Sequence, residues 1–282
     1  MSHKVDMNKY KIRTNLAVDS IKIDKKDVKK INNINVIDIN IDDKKESLIG
    51  RKKGNYVTIE FEDITDSDNY EKVKEVLIKQ LKKIINLKDN DKCLVIGLGN
   101  ELLLPDSLGP KVTKQIIVTE PIYKFDNLDN KYRRVSIFNP SVYGVTGVET
   151  TSIVSSVIDT VKPNLVIVID SLMSKSINRI NKTIQITDAG ISPGSGIGYT
   201  KEISKDILGI PIISIGIPTV LDVSALVDEI VMEIPNIDDE LVNLINQKLD
   251  LYNLMITSND LDYLMKKFSN LLSFSLNEIF HS

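Results

Sequence analysis

"KCLVIGLGNELLLPDSLGP", residues 92–110, joins an apolar run to a turn that carries a single acid beside a proline and a glycine. Cys93–Ile96 and Leu98 read as a strand apolar on both faces. Gly97, Gly99 and Asn100 close it, and a helix is expected near 107–118. Asp106 thus stands at the mouth of a strand where Pro105 and Gly109 turn the backbone. A second stretch repeats the plan: in "PNLVIVIDSLMSKS" (163–176), five apolar residues precede Asp170. Strands buried on both faces and separated by helices belong to a parallel sheet covered on both sides. Sites in such sheets form at the carboxyl ends of the strands.

Outward from these two stretches, strands are expected at 92–98, 133–138, 164–169 and 211–215, with helices near 107–118, 147–160, 201–208 and 223–232. The fold class is α/β, a mostly parallel twisted sheet between helices. "NKTIQIT" (181–187) reads as a short strand at an edge. Ahead of them, "INVIDINI" (34–41) and "NYVTIEFE" (55–62) alternate like half-buried strands around a charged, glycine-bearing turn. Val73, Val76, Leu77, Leu81, Ile84 and Ile85 mark a helix capped around Asp66–Asp68. Two amphipathic helices close the chain. The expected organisation is a segment 1–15 apart from the fold, a small β-rich unit over 16–65, and an α/β domain over 66–282 with a C-terminal helical part.

Composition narrows the chemistry. The 282 residues are 42% hydrophobic and 27% charged, with net charge −3. That balance gives no electrostatic case for nucleic acid or an anionic membrane. No run reaches the ~20 apolar residues of a membrane helix, and the N-terminus lacks the apolar core of a signal peptide, so a cytoplasmic protein is expected. One cysteine, Cys93, reads as a small buried hydrophobe. Both histidines, His3 and His281, lie next to the termini, where chains are usually mobile. Serine or cysteine triads therefore lack their base, and neither a metal site nor a cofactor is expected.

Two acids at equivalent strand ends suit hydrolysis without a nucleophilic side chain. One carboxylate takes a proton from water and the other, protonated, hydrogen-bonds the scissile carbonyl; two like charges at close range share one proton. Asp106 and Asp170 are the candidates, though each alone reads equally well as a helix or turn cap. Three glycine-bearing loops are placed on the same face: Gly97, Gly99 and Asn100; Gly144, Thr146, Gly147 and Glu149 in "NPSVYGVTGVET"; and Asp188, Gly194, Ser195 and Gly196 in "DAGISPGSGIG". Each reads as a ligand contact or as a tight turn. Lys175 is either a solvated charge or a bias on a nearby carboxyl.

Several longer blocks resemble one family. "VIGLGN…PDSLGP", "GVTGVET", "IDSLMSKSINRINKTIQITDAGISPGSGIG" and "LGIPIISIGIPTVLD" are similar to the germination proteases of endospore-forming bacteria, aspartic-type endopeptidases whose fold is like that of the hydrogenase maturation proteases. The resemblance implies catalytic carboxylates at Asp106 and Asp170, small acid-soluble spore proteins as substrates, a tetramer, and a place in the spore core. It also implies a zymogen that trims its own N-terminus, with cleavage between Asn15 and Leu16 in "RTNLA". Asn15 stands where the family's substrates carry an acid, and Ser141 stands where the family has glycine. Two other readings remain open: a maturation-type protease that recognises a metal on one partner protein, and a non-catalytic protein whose loops hold a small anion.

Overall fold

A computed structural model describes residues 14–23, 27–125, 132–193, 202–234, 237–252 and 254–281. The chain begins with β1 (Val28–Ile31), β2 (Ile34–Ile41), α1 (Asp43–Ile49), β3 (Gly54–Glu60) and α2 (Ser67–Ile84). The middle third holds β4 (Lys92–Gly97), α3 (Leu108–Thr113), α4 (Glu120–Phe125), β5 (Arg134–Phe138), α5 (Tyr143–Thr146) and α6 (Thr150–Val161). Then follow β6 (Leu165–Ser174), β7 (Thr183–Thr187), α7 (Lys205–Leu208), β8 (Ile212–Asp222) and α8 (Val223–Glu233). The described part closes with α9 (Asp239–Tyr252), β9 (Met255–Ile256) and α10 (Leu261–His281).

Local sequence explains the clearest elements. The Asp66 carboxylate accepts the amide of Asn69 and starts α2, while Lys82 and Lys83 complement its C-terminal dipole. Val73, Val76, Leu77 and Leu81 form the buried stripe of that helix. Between β2 and β3, where the sequence promised only a turn, Asp42 caps α1 through the Lys45 amide and Gly50 closes it in the left-handed region. No residue of α1 is buried, so it carries no apolar period to betray it.

The nine strands among the described residues join one sheet in the order β1-β2-β3-β7-β8-β6-β4-β5, with β9 paired to β8. The pairings β4–β5, β4–β6 and β6–β8 are parallel. The pairings β1–β2, β2–β3, β3–β7, β7–β8 and β8–β9 are antiparallel. The sheet is therefore mixed, not mostly parallel: only the four strands β5, β4, β6 and β8 are parallel. The second correction follows from the first. β7 is no edge strand but lies between β3 and β8, fully buried along Thr183–Thr187, and it carries the N-terminal antiparallel strands into the main sheet. Burial on both faces makes a central strand look like a short apolar edge when only its length is visible.

Helices cover both faces. On one, α2, α3 and α10 bury Val73, Leu77, Leu108, Val112, Phe268 and Leu272 against Val95, Ile167 and Ile215. On the other, α6 places Val154 and Ile158 over Leu94, Ile96, Val166 and Val168. Beyond α6 that face is closed by the N-terminal segment itself: Leu16, Ala17 and Val18 pack on Ile37, Ile39, Tyr56 and Leu172. Leu16 is 0% exposed, so Leu16→Ala is expected to cost about 2–3 kcal/mol, read from urea unfolding. A loss below about 0.5 kcal/mol would mean that the segment is not held in the core. Among the described residues no helix is long and apolar enough to cross a membrane.

Candidate active site

Asp106 is placed by a short 3-10 turn, Leu104–Asp106, that joins the end of β4 to α3. Its amide donates to the Leu103 carbonyl at 2.8 Å, and its Oδ2 accepts the Asn100 amide at 2.7 Å. The turn is pinned from β8, where Thr219 Oγ1 donates to the Pro105 carbonyl at 2.6 Å. Two glycines allow this folding. Gly99 has φ of +109°, and a Cβ there would stand 2.0 Å from the Asp106 carbonyl oxygen. A Cβ on Gly109 would lie 2.4 Å from the Leu98 carbonyl oxygen and 2.6 Å from that of Ile169. The backbones of the turn, of β4 and of β6 thus touch where a side chain would intervene.

Asp170 comes from β6, and here the structure departs from the sequence reading. The strand does not stop at Ile169 but continues to Ser174 beside β8, with Asp170 opposite Gly216. What ends at this level is β4, whose Gly97 is the partner of Ile169. The Leu98 amide makes a last bond to the Ile169 carbonyl at 2.8 Å, and the chain then swings away into the loop that carries Asp106. Asp170 is therefore the first residue of β6 past its shortened neighbour, and its own Oδ1 accepts the Ser171 amide.

Both carboxyls hold protons more tightly than usual. Burial pushes Asp106 up to about 6, against the pull of the Asn100 amide. Burial raises Asp170 well above the ordinary carboxylate range; the Asp106 charge raises it further, and the Ser171 amide opposes both. The two acids thus stand within electrostatic range at one end of the sheet. Neither is paired with a cation among the described residues, and desolvation dominates both shifts.

The remaining positions divide. Gly97 lies in the seam: a Cβ there would meet the Gly109 carbonyl at 2.4 Å and Asn139 Oδ1 at 2.6 Å. Asn100 binds Asp106 through its amide and turns the loop by accepting the Leu102 amide. In the β5–α6 loop, Thr146 Oγ1 bonds to Val142 and Val148 within its own turn, and Glu149 precedes α6, its carboxylate accepting Ser152 Oγ. A Cβ on Gly144 or Gly147 would meet nothing within 4 Å. Ser141 takes φ of +62° where a glycine would relax.

Asp188 is engaged elsewhere, accepting the amide and side-chain nitrogen of Asn55 on β3 at 2.6 and 2.8 Å. The Lys175 side chain is exposed, and its amide donates to Asp19. Gly194, Ser195 and Gly196 lie outside the described residues. His281 ends α10, where its ring is close to the Ile117 carbonyl and stacks near Tyr132. His3 lies outside the described residues. No group of three or more His, Cys, Asp or Glu stands together as a metal site among the described residues.

Several supporting residues carried no sequence signal. Asn139 Oδ1 accepts Thr113 Oγ1 and ties α3 to the end of β5. Thr219 lies past the strand expected at 211–215, on the continuation of β8 to Asp222. Ser171 Oγ, next to Asp170, is buried with no hydrogen-bond partner among the described residues.

Asn15 and Leu16 stand in an unexpected place. The Asn15 amide donates to the Met173 carbonyl and its Oδ1 accepts the Met173 amide, each at 2.8 Å. Gln185 spans the next residues, donating to the Asn15 carbonyl at 3.2 Å and accepting the Ala17 amide at 2.7 Å. Asp19, buried, accepts from Thr14 Oγ1, Ser174 Oγ, the Lys175 amide and Arg179. The Asn15–Leu16 bond is thus sewn to the strand that bears Asp170.

The sequence model of the family described as germination protease matches residues 2–235. The chain is 41% identical over 241 residues to the germination protease of Bacillus licheniformis, covering 78% of this chain and 66% of that protein. It is 39% identical over 246 residues to that of Priestia megaterium, covering 79% and 66%, and 38% identical over 241 residues to that of Bacillus subtilis, covering 78% and 66%. The matched span is thus just under two thirds of the length of these relatives. Among solved structures, a NiFe hydrogenase maturation protease from Thermococcus kodakarensis aligns with TM-score 0.40 and 15% identity, over 72% of this chain and 99% of the other. By the family match over most of its length, this chain belongs to the germination protease family.

Proposed function

We propose that the protein is an aspartic-type endopeptidase that begins the breakdown of small acid-soluble spore proteins at germination. The observation that carries the reading is the pair of partly buried acids, Asp106 and Asp170, with raised affinities for a proton and one acting on the other. Asp170 feels both burial and the charge of its partner, so it keeps the shared proton and donates it to the scissile carbonyl. Asp106 is the ionised member and takes a proton from the attacking water. The assignment belongs to the pair, which titrates as a unit. The Asn100 amide holds the Asp106 carboxylate without neutralising it.

The same reading makes residues 1–15 a propeptide removed at Asn15–Leu16, and the working form a homotetramer in the spore core. The test is incubation of the purified chain with a small acid-soluble spore protein, followed by sequencing of the new termini. The expected result is discrete internal cuts and a matured chain beginning at Leu16. An uncut substrate with a folded, matured chain would overturn the reading.

A pH profile of kcat/KM follows from the two shifts. The rate is expected to rise as pH climbs through about 6, where Asp106 ionises, and to fall at higher pH as Asp170 gives up its proton. A flat profile between about pH 5 and 7 would remove Asp106 as the base.

A further inference from the structure

β8 carries a proline, Pro218, although the strand lies between β7 and β6 in the interior of the sheet. A proline gives no N–H to a ladder, so a central strand tolerates one only at a bulge. The register contains that bulge: Leu172 on β6 pairs with Pro218 and Met173 with Val220, which leaves Thr219 as the extra residue. Its carbonyl and that of Pro218 find partners outside the ladder. The Pro218 carbonyl accepts the Asn181 amide at 2.8 Å, and the Thr219 carbonyl accepts Thr257 Oγ1 at 2.8 Å. Asn181 is tied to the same C-terminal segment, its Nδ2 donating to Ser258 Oγ at 2.6 Å. Thr257 and Ser258 lie beyond residue 235, where the match to the family ends.

A bulge breaks the alternation of a strand and re-aims one side chain. Thr219 is fully buried, and its Oγ1 donates at 2.6 Å to the carbonyl of Pro105, the residue just before Asp106. Asp106 therefore has two ties of different origin. Its carboxylate is held within its own loop by the Asn100 amide at 2.7 Å. The backbone of its turn is held from another strand by Thr219. With the first tie alone the loop would keep its local shape, but nothing in that bond fixes its place over the sheet, and so its distance from Asp170.

We infer that Thr219 is a positioning residue for the reaction: its hydroxyl, aimed by the β8 bulge, fixes the Pro105–Asp106 peptide relative to Asp170, and Thr257 steadies the bulge from the C-terminal segment. The inference rests on the two-carboxylate reading above and deepens it, by naming what keeps the two acids at working distance. Small displacements of a reacting group are costly in rate even when binding is intact, so a single bond at this place is felt in kcat.

One readout needs no turnover. Carbon NMR of the aspartate carboxyls in the full chain, with Asp106→Asn to assign the signal, follows the Asp106 titration near pH 6. Burial is what raises that value, so a turn released from β8 lets water reach the carboxylate. Thr219→Val removes the hydroxyl and keeps the shape; it is expected to lower the Asp106 midpoint by about half a pH unit. Thr219→Ser keeps the hydroxyl and is expected to restore it. The second readout is cleavage of a small acid-soluble spore protein by the matured chain. Thr219→Val is expected to lower kcat about tenfold with KM little changed, and Thr257→Val to lower it about threefold. An unmoved Asp106 midpoint in Thr219→Val, or no rescue by serine, overturns the inference, because a general loss of stability leaves the midpoint of the folded protein where it was. Should Thr219→Val fail to fold, Thr257→Val carries the same test, and an unmoved midpoint with full kcat there overturns it. Full turnover by Asp106→Asn is a separate outcome: it removes the two-carboxylate reading, and with it the reaction that Thr219 serves.

Discussion

Asp106→Asn and Asp170→Asn are each expected to lower kcat by at least ~10²-fold, the usual cost of removing a positioned acid or base, while the fold persists. Asparagine preserves the shape and one acceptor, so the Asn100 amide and the Ser171 amide keep their partners. What it cannot do is take or share a proton. Stability gives an independent reading of the same groups. The folded pKa of Asp106 is about 6, above its ordinary value, so the fold favours the protonated carboxyl. That contribution is fully present below the unfolded pKa near 4 and is lost as pH rises through about 6. At pH 7.5 the folded state therefore bears a desolvated charge that Asp106→Asn removes. The variant is expected to melt about 2–4 °C higher there, the size that ~1 kcal/mol gives in a chain of this length after allowance for partial exposure. At pH 4 the gain should vanish. Near-full activity in either variant, with its fold intact, would end the two-carboxylate assignment.

Gly109→Val is expected to destabilise the protein by about 4 kcal/mol and to abolish turnover, although residue 109 touches no substrate. A Cβ there would lie 2.4 and 2.5 Å from the Leu98 carbonyl and amide and 2.6 Å from the Ile169 carbonyl. All three are backbone atoms that cannot rotate away. Relief demands that α3 lift off the junction of β4 and β6, and Asp106 sits in the turn that leads directly into α3. Gly144→Ala is the matched control. Its Cβ meets nothing within 4 Å, and its effect should stay within about 0.5 kcal/mol. Urea unfolding of both variants checks the contrast. A loss below about 1 kcal/mol at residue 109 would show that the seam between turn and sheet is looser than described.

How far the sequence alone reached can be seen at particular positions. Asp106 and Asp170 stand out because each follows an apolar run, and local chemistry fixes that pattern before any fold exists. The cap at Asp66 and the α2 stripe are equally local, as is the strand–helix alternation between β4 and β8. The local bonds of Glu149 to Ser152 and of Thr146 within its turn were within reach too, since each bonds within four residues of itself. α1 escaped notice because an exposed helix has no hydrophobic period.

Other features depend on which strand lies beside which. A strand of five buried residues reads the same at an edge or at the centre, so β7 disclosed its position between β3 and β8 only in the sheet. The direction of pairing is likewise absent from a single strand's pattern, which is why a mixed sheet looked parallel. The continuation of β6 to Ser174 follows from its partner β8, not from its own residues, whose apolar run breaks at Asp170. The N-terminal segment is the sharpest case. "RTNLA" carries a cleavage-like order in sequence, yet Leu16 and Ala17 are buried, and the bonds of Asn15 to Met173 and of Ala17 to Gln185 join residues more than 150 positions apart. Short-range chemistry therefore named the two acids, and long-range packing decided what surrounds them.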